Sequence, residues 1–263
     1  MGLSIIVPVK QVPDLVEELE INSEGTDLER EWLKYKMNEW DENALEEALQ
    51  LKEEHGGTVM VMTLADGDVD VDEMLYTCIA KGADKAVKIV GDFEGRLSSH
   101  TQARALAEVI RGLPHDLILV GVQAADDLDG QTGVLLAAYL GLPHVSVVSG
   151  IEVDPAARVA TVHQEYAGGV MAIFEVDLPA VLGVQAARAV PRYAPVSRVR
   201  QAMKTASIEE VELAVPVGVG AGLKVRRMYK PEASGHAEML EGDTDKVVEQ
   251  VIEILRERGI WRA

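Results

Sequence analysis

The side chains best placed to do chemistry lie in residues 126–133, which read Asp-Asp-Leu-Asp-Gly-Gln-Thr-Gly. An apolar run precedes them and another follows, an order that predicts a strand, a loop and the start of a helix. The first turn of a helix offers free backbone N–H groups and the positive end of the helix dipole. This predicts a phosphate site, to which Gln131 adds an amide and Thr132 a hydroxyl, while the glycines let the backbone approach a ligand. A solvated acidic loop is the alternative interpretation.

The first half of the chain contains the elements that must hold this loop. Short apolar runs alternate there with segments of helical periodicity. The predicted strands are 3–9, 59–64, 86–90 and 117–121, and the predicted helices are 41–56 with Asp41 as N-cap, 72–82, 99–111 and 131–141. This alternation predicts right-handed crossovers and a doubly wound, mostly parallel sheet in an α/β fold of Rossmann-like, adenine-nucleotide-binding type.

The second half changes its period. Four strand-like runs, joined in part by hairpin turns, predict antiparallel strands that extend the parallel sheet: 145–153, 159–164, 170–176 and 180–185. After Pro191 the pattern breaks up, apart from the glycine-rich connector 216–222 and an amphipathic helix that begins at Thr244 or Asp245. We therefore predict a nucleotide-binding domain over 1–190 and a long C-terminal arm with a terminal helix over 191–263.

Ligands of open α/β sheets bind at the carboxyl ends of the strands. That rule brings together four segments: 8–14, 36–38, 64–70 and 126–133. In this group Lys10 can neutralise a phosphate, and Asn38 can contact a base or a ribose. Neither a G-x-G-x-x-G fingerprint nor a phosphate-binding P-loop occurs, so a standard dinucleotide or phosphate-hydrolysing site is not predicted.

Composition excludes several classes of function. The net charge is −19, and nearly all of it falls on residues 1–190, because 191–263 hold 12 basic and 11 acidic side chains. An acidic body argues against nucleic-acid binding, and the basic arm suits another acidic surface or phosphate. The single cysteine, Cys78, is expected to be buried filler in a cytoplasmic protein. We predict no metal site, no catalytic residue and no membrane span.

Several segments resemble the β subunit of electron transfer flavoproteins. They run in family order across residues 3–205: Val7-Pro8-Val9-Lys10; Met37-Asn38-Glu39-Trp40-Asp41, with Ala44 to Ala48 and Leu51 to Glu53; Gly82-Ala83-Asp84; Gln123-Ala124 with Asp126-Asp127 and Gln131-Thr132-Gly133; Gly141-Leu142-Pro143; Leu178 to Val181; and Pro191-Arg192-Tyr193. Each is modest alone, but together they are specific.

The resemblance implies an electron carrier subunit rather than a stand-alone enzyme. A partner α subunit would hold most of a shared FAD, and the pair would carry electrons from dehydrogenases, such as those acting on acyl-CoA, to a quinone reductase or another acceptor. The β subunit's own pocket holds AMP, or a second FAD in electron-bifurcating members. The family's nucleotide contacts fall here on Pro8, Asn38, Leu64, Ala124, Asp127, Gly130, Gln131 and Thr132. Its partner-docking loop places an apolar tip at Val196.

The sequence also departs from the family pattern. Gly130 stands where AMP-binding members usually have asparagine, and Leu15 replaces a tyrosine that often lies near the FAD of the α subunit. Residues 131–133 resemble the AMP-binding branch, whereas 10–14 resemble the bifurcating branch, so AMP and a second FAD both stay open. A nucleotide-sensing α/β module without redox function is the remaining alternative, although the long arm favours the flavoprotein.

Overall fold

Eleven strands lie in the part of the chain that the computed structural model describes, residues 2–65, 70–91, 97–213, 225–231, 237 and 239–261. They are β1 (Leu3–Pro8), β2 (Gln11–Pro13), β3 (Tyr35–Met37), β4 (Gly57–Leu64), β5 (Lys85–Val90), β6 (Leu117–Gly121), β7 (His144–Asp154), β8 (Val159–Tyr166), β9 (Val170–Asp177), β10 (Ala180–Val184) and β11 (Ile208–Glu212). The described helices are α1 (Glu39–His55), α2 (Asp72–Lys81), α3 (Ser99–Ile110), α4 (Thr132–Leu140), α5 (Val196–Thr205) and α6 (Thr244–Glu257), with one 3-10 turn at Arg30–Trp32. Clustering of contacts divides the chain into two units, Met1–Arg226 and Arg227–Ala263.

The first unit is built on a nine-stranded sheet in the order β11-β5-β4-β1-β6-β10-β7-β8-β9. The strands from β11 to β7 pair in parallel, and β8 pairs antiparallel with both β7 and β9. The predicted α/β fold, mostly parallel and extended by antiparallel strands, is confirmed. The prediction of an antiparallel strand at 180–185 is wrong, since β10 lies between β6 and β7 and is parallel to both. Strands β2 and β3 form a separate antiparallel pair.

Helices cover both faces of the parallel part, which explains its nearly continuous apolar strands. Alternate residues of β1 and β6 enter different cores: Ile5 and Leu117 face α1 and α2, whereas Ile6 and Ile118 face α3 and α4. All four side chains are almost fully buried. The sheet therefore provides a rigid base for the loops at its ends.

Helix α1 begins earlier than predicted. Its N-cap is Asn38, and Asp41 lies within its first turn, where the carboxylate accepts N–H groups from outside the helix instead of capping it. Helix α4 begins at Thr132, with Gln131 at the N-cap position, as predicted.

Residues 191–213 are more ordered than the sequence predicted. Val199 and Ala202 of α5 are buried in a small apolar cluster with Ala80 of α2 and Ala194, and β11 pairs in parallel with β5. Helix α5 spans only ten residues and is mostly polar, so it has too few apolar residues to form an apolar run in the sequence. These residues belong to the first unit, and a domain boundary at residue 190 stays a prediction.

Strand β9 lies at one edge of the sheet and carries apolar side chains on both of its faces. Val162 pairs with Phe174 on the face where Val162 is buried, and His163 pairs with Ile173 on the other. Phe174 is 40% exposed and Ile173 is 65% exposed. Among the described strands, only β8 pairs with β9.

The second unit contains α6, which is capped by the Asp243 carboxylate accepting the Lys246 N–H at 3.0 Å. No residue of this helix is buried, and Val248 and Val251 are exposed. Among the described helices, none combines the length and apolar character needed to cross a bilayer. The connector predicted over 216–222 lies outside the described residues.

Candidate functional site

The carboxyl ends of β1, β4 and β6 meet at one edge of the sheet, beside the first turns of α1 and α4. Pro8 ends β1 and is buried, Leu64 ends β4, and Ala124 follows β6 in the loop that leads to α4. Most of the predicted segment 64–70 cannot be placed in this group, because 66–69 lie outside the described residues. The other three predicted segments do come together, as the contacts below show.

The start of α4 lies where the sequence predicted it, and its first backbone amides lie ahead of the first helical hydrogen bond. The first hydrogen bond within the helix joins the Leu135 N–H to the Gln131 carbonyl at 3.0 Å. Within the described part of the chain, no acceptor binds the amides of residues 132–134. Gln131 is exposed and Thr132 is half-buried. These amides can therefore bind an anion that arrives from solvent.

The three aspartates of the loop all make polar contacts of their own. Lys10 Nζ lies 2.8 Å from Asp126 Oδ1 and 3.2 Å from Asp127 Oδ2. Asp127 Oδ1 accepts the Asp129 N–H at 3.0 Å, and Asp129 Oδ2 accepts the Ser99 hydroxyl at 2.5 Å. Lys10 was predicted to neutralise a phosphate, and here it neutralises the loop carboxylates. Part of the negative charge near the helix start is thereby compensated.

The two glycines of the motif have different roles. Gly130 is exposed and has φ +64°, a left-handed conformation that side chains adopt only with strain. Gly133 is buried, and a Cβ there would lie 2.7 Å from Val120 Cγ2 and 3.3 Å from His144 Cε1. The absence of a side chain at Gly133 therefore lets α4 pack on β6, which corrects the prediction that it admits a ligand.

Asn38 is almost fully buried and joins α1 to the loop after β6. Its Nδ2 donates to the Gln123 carbonyl at 2.8 Å, and its Oδ1 accepts the Ala125 N–H at 3.3 Å. Both ends of the side chain are thus engaged by the loop. Asn38 thereby fixes the shape of the loop, and its contact with a base or ribose stays a prediction.

The role of Asp41 could not be predicted from the local sequence. Its Oδ2 accepts the Lys10 N–H at 2.8 Å, and its Oδ1 accepts the Gly121 N–H at 3.2 Å. Burial raises the pKa of this carboxyl to about 7, although hydrogen bonds from the Asn38 side chain and from the two backbone N–H groups, together with the Lys10 charge, oppose the change. The side chain connects two segments that are far apart in the sequence. An aspartate in the first turn of a helix is usually explained by the helix dipole, which hid this role.

Val196 lies away from these loops along the chain. It is the first residue of α5 and is 59% exposed, so it lies at a helix start and not on a loop as predicted. Pro195 precedes it in the N-cap position. Its exposure is compatible with an apolar contact to another protein.

The segment that leads to α5 is held on α1 by two arginines. Arg188 pairs with Glu47 at 2.7 Å and Glu54 at 3.1 Å, and Arg192 pairs with Glu46 at 2.9 Å and with Glu53. The Glu46 and Glu47 side chains are 5% and 1% exposed. Part of the positive charge assigned to the arm is therefore used within the chain.

A doubly wound, mostly parallel sheet with helix amides at its carboxyl edge that no described acceptor binds defines a Rossmann-like α/β protein. In the described part of the chain, no cluster of three or more His, Cys, Asp or Glu side chains could hold a metal ion.

Comparisons with known proteins define the family. The model of the electron transfer flavoprotein domain matches residues 27–216. An electron transfer flavoprotein subunit beta from Methylophilus methylotrophus is 37% identical over 263 residues, which cover 97% of this chain and 98% of that protein. Another from Syntrophomonas wolfei is 33% identical, with 86% and 90% covered. The caffeyl-CoA reductase-Etf complex subunit CarD from Acetobacterium woodii is 33% identical, with 98% and 100% covered.

The chain therefore belongs to the electron transfer flavoprotein family, as a relative of its β subunits, and the resemblance found in the sequence is confirmed. This family supports a role in electron transport as part of a flavoprotein. It does not favour the alternative of a nucleotide-sensing module without redox function.

Proposed function

We propose that this chain is the β subunit of an electron transfer flavoprotein whose own pocket binds an adenine nucleotide, AMP or a second FAD. The free amides at the start of α4 carry this proposal. They lie beside the loop after β6, and that loop is linked through Asn38 and Lys10 to α1 and to the end of β1. Phosphate is common to both ligands, so one anion site serves either.

The described residues fit a bound nucleotide. The amides of residues 132–134 and the Thr132 hydroxyl would hold a phosphate, with Gln131 beside them. Asp127, Gly130 and Ala124 would contact the nucleotide from the loop, and Pro8 and Leu64 from the ends of β1 and β4. Lys10 supports this fit because it compensates two of the carboxylates near the amides. A phosphate would then approach less uncompensated negative charge.

The redox chemistry is supplied by flavin, with an FAD shared with an α subunit. This chain's residues contribute binding, orientation and electrostatics and no covalent step. Electrons would pass from flavin dehydrogenases to a quinone reductase or a similar acceptor. One relative is named as a subunit of a caffeyl-CoA reductase complex, which supports a dehydrogenase partner of this class.

Partner docking is proposed at Val196, which is held in place from two sides. Its helix packs on α2 through Val199 and Ala202, while the preceding segment is fixed to α1 by Arg188 and Arg192. An exposed apolar side chain on such a rigid base is a suitable anchor for another protein.

The experiment is to co-express the chain with its α subunit, purify the complex and identify the released nucleotides. One flavin and one AMP per complex would support a simple carrier, and two flavins would support the bifurcating branch. A chain that purifies without a partner and without nucleotide would contradict the proposal.

A pair of variants tests the site itself. Thr132→Val removes one hydroxyl at the start of α4, and Thr161→Val makes the same change on β8. We expect the first to lower the nucleotide content or the affinity for added AMP by about tenfold, and the second to leave both unchanged. Equal effects of the two variants would contradict the placement of the phosphate.

A further inference from the structure

We infer that Asp41 is a positioning residue of the nucleotide site, whose carboxylate sets the spacing between the segment after β1 and the end of β6. The inference rests on the proposed function, since it concerns the same pocket. It goes further by assigning control of the pocket's shape to a residue that would not contact the nucleotide itself.

The geometry shows one side chain that joins two loops. The two oxygens of Asp41 accept the N–H groups of Lys10 and Gly121, which are 31 and 80 residues away in the sequence. A Cβ at Gly121 would lie 2.3 Å from Asp41 Oδ1. The end of β6 can therefore approach this carboxylate only because residue 121 is glycine.

Both joined segments continue directly into the proposed site. From Lys10, the side chain reaches Asp126 and Asp127 in the loop before α4. From Gly121, the chain runs into Gln123, whose carbonyl is held by Asn38 in the same region of α1. A displacement of the Asp41 carboxylate would therefore move the loop from both of its attachments.

The protonation state of the side chain decides how well it can hold both N–H groups. An ionised carboxylate accepts at both oxygens, whereas a protonated one presents a hydroxyl, which is a donor, to one of the two N–H groups. An asparagine has the same deficiency, since its amide NH₂ can only donate. Asp41→Asn therefore reproduces the protonated state in size and in hydrogen-bonding pattern.

Several charged or titratable groups lie around Asp41, in addition to the neutral Asn38 side chain that also hydrogen-bonds to it. They are Lys10 on the segment after β1, Asp126 and Asp127 through Lys10, the Glu42–Lys81 ion pair between α1 and α2, and Cys78 on α2. All of them remain in the variant, so a comparison of wild type with Asp41→Asn isolates the Asp41 carboxyl. Burial raises the pKa of that carboxyl to about 7, within a range that is convenient to measure.

The experiment measures AMP affinity of the nucleotide-depleted protein, together with its partner subunit, at pH 5.5 and pH 8.5. At pH 8.5 we expect Asp41→Asn to bind AMP about tenfold more weakly than wild type. At pH 5.5, where wild-type Asp41 is protonated, the two affinities should agree within about twofold. Titration of the AMP phosphate affects both proteins equally and cancels in the ratio.

Asp116→Asn is the matched control. Asp116 also accepts a backbone N–H of β1, from Ser4 at 2.9 Å, and pairs with Arg158 at 3.0 Å, but it precedes β6 at the opposite edge of the sheet. We expect this variant to lose stability and to keep wild-type AMP affinity at both pH values.

The outcomes separate the two proposals. If wild type binds neither AMP nor FAD, the proposed function fails and the inference fails with it. If wild type binds but the ratio to Asp41→Asn is the same at both pH values, only the inference is overturned. If Asp41→Asn does not fold, a pH titration of the wild-type amide NMR signals without nucleotide decides the question. The inference is supported if the signals of residues 132–134 shift with the same midpoint as those of Lys10 and Gly121, and it is overturned if they do not shift with them.

Discussion

Gly121→Ala provides a quantitative test of the close approach between α1 and β6. The new Cβ would lie 2.3 Å from Asp41 Oδ1, 2.8 Å from Asp41 N and 2.9 Å from Trp40 C, whereas ordinary contacts begin at 3.4 Å. Two of these three atoms belong to the backbone of α1, so no side-chain rotation relieves the overlap. The backbone of the first turn must move by about 0.6 Å to bring these two atoms to ordinary contact distance.

Gly121→Ala changes the free energy of unfolding in two opposite directions, and the destabilising contributions are larger. Alanine in place of a strand glycine recovers about 0.5–1 kcal/mol of backbone entropy. Overpacking of a well-filled site costs about 1–3 kcal/mol, and the Asp41–Gly121 hydrogen bond, worth about 1 kcal/mol, is disturbed as well. We expect a net loss of about 2 kcal/mol in the free energy of unfolding.

Urea denaturation measures this loss, as a lower midpoint with an unchanged slope. Gly112→Ala is the control, because the nearest atom to its new Cβ is Val109 O at 3.7 Å, and we expect a change within about 0.5 kcal/mol. If Gly121→Ala were as stable as the control, the contact between α1 and the end of β6 would be looser than described, and the reasoning about Asp41 would be refuted.

Three further predictions follow from buried groups. Glu47→Ala should lower the free energy of unfolding by about 2 kcal/mol, because the 1% exposed carboxylate accepts the backbone N–H and the Nε–H of Arg188. Glu108→Ala is the control, since it removes only an exposed ion pair with Arg111 and should change stability by under about 0.5 kcal/mol. Equal thermal midpoints for the two variants would contradict this prediction. Cys78 is fully buried and burial raises its pKa to about 12, so a thiol reagent should label it only after denaturation, and fast labelling of the native protein would disprove the burial. Burial raises the pKa of Asp41 to about 7 from 3.8, so the folded state favours the protonated side chain. This contribution to stability is full below about pH 4 and is lost as the pH rises through 7. The difference in unfolding free energy, wild type minus Asp41→Asn, should therefore fall by about 3 kcal/mol between pH 5 and 8, and a difference that does not change with pH would refute the prediction.

Much of the fold could be predicted because it depends on local pattern. The alternating apolar runs and helical segments of the first half identified β1, β4, β5 and β6 with their helices, since both periods are short and strong. The position of β10 could not be predicted in this way. Its apolar residues suit any buried strand, and its insertion between β6 and β7 depends on pairing with strands distant in sequence.

The candidate site could likewise be predicted only where it depends on local sequence pattern. The start of α4 at Thr132 could be predicted from a turn followed by an apolar run. The contacts of Asn38 and Asp41 could not, because each side chain joins segments about 30 to 90 residues apart. Gly133 was misread because a glycine beside a binding loop and a glycine required by helix packing have the same local sequence.

The acidic side chains of α1 show the same limit. Nothing in the local sequence indicates partners for Glu46, Glu47, Glu53 and Glu54. They bind Arg188 and Arg192, which lie over 130 residues later in the chain. Two glutamates seven residues apart lie two turns apart on one face of a helix. They can bind an arginine only when the fold brings that arginine to the same face.

The outer edge of β9, with which no described strand pairs, has a consequence for handling the protein. An edge strand with exposed Val170, Met171 and Ile173 offers both backbone hydrogen-bonding groups and apolar surface to any other extended chain. When this chain is produced in excess over its partner subunit, we expect copies to pair edge to edge through β9 and to form soluble oligomers or precipitate. Ile173→Lys would prevent this edge-to-edge pairing and would leave the buried face of the sheet intact.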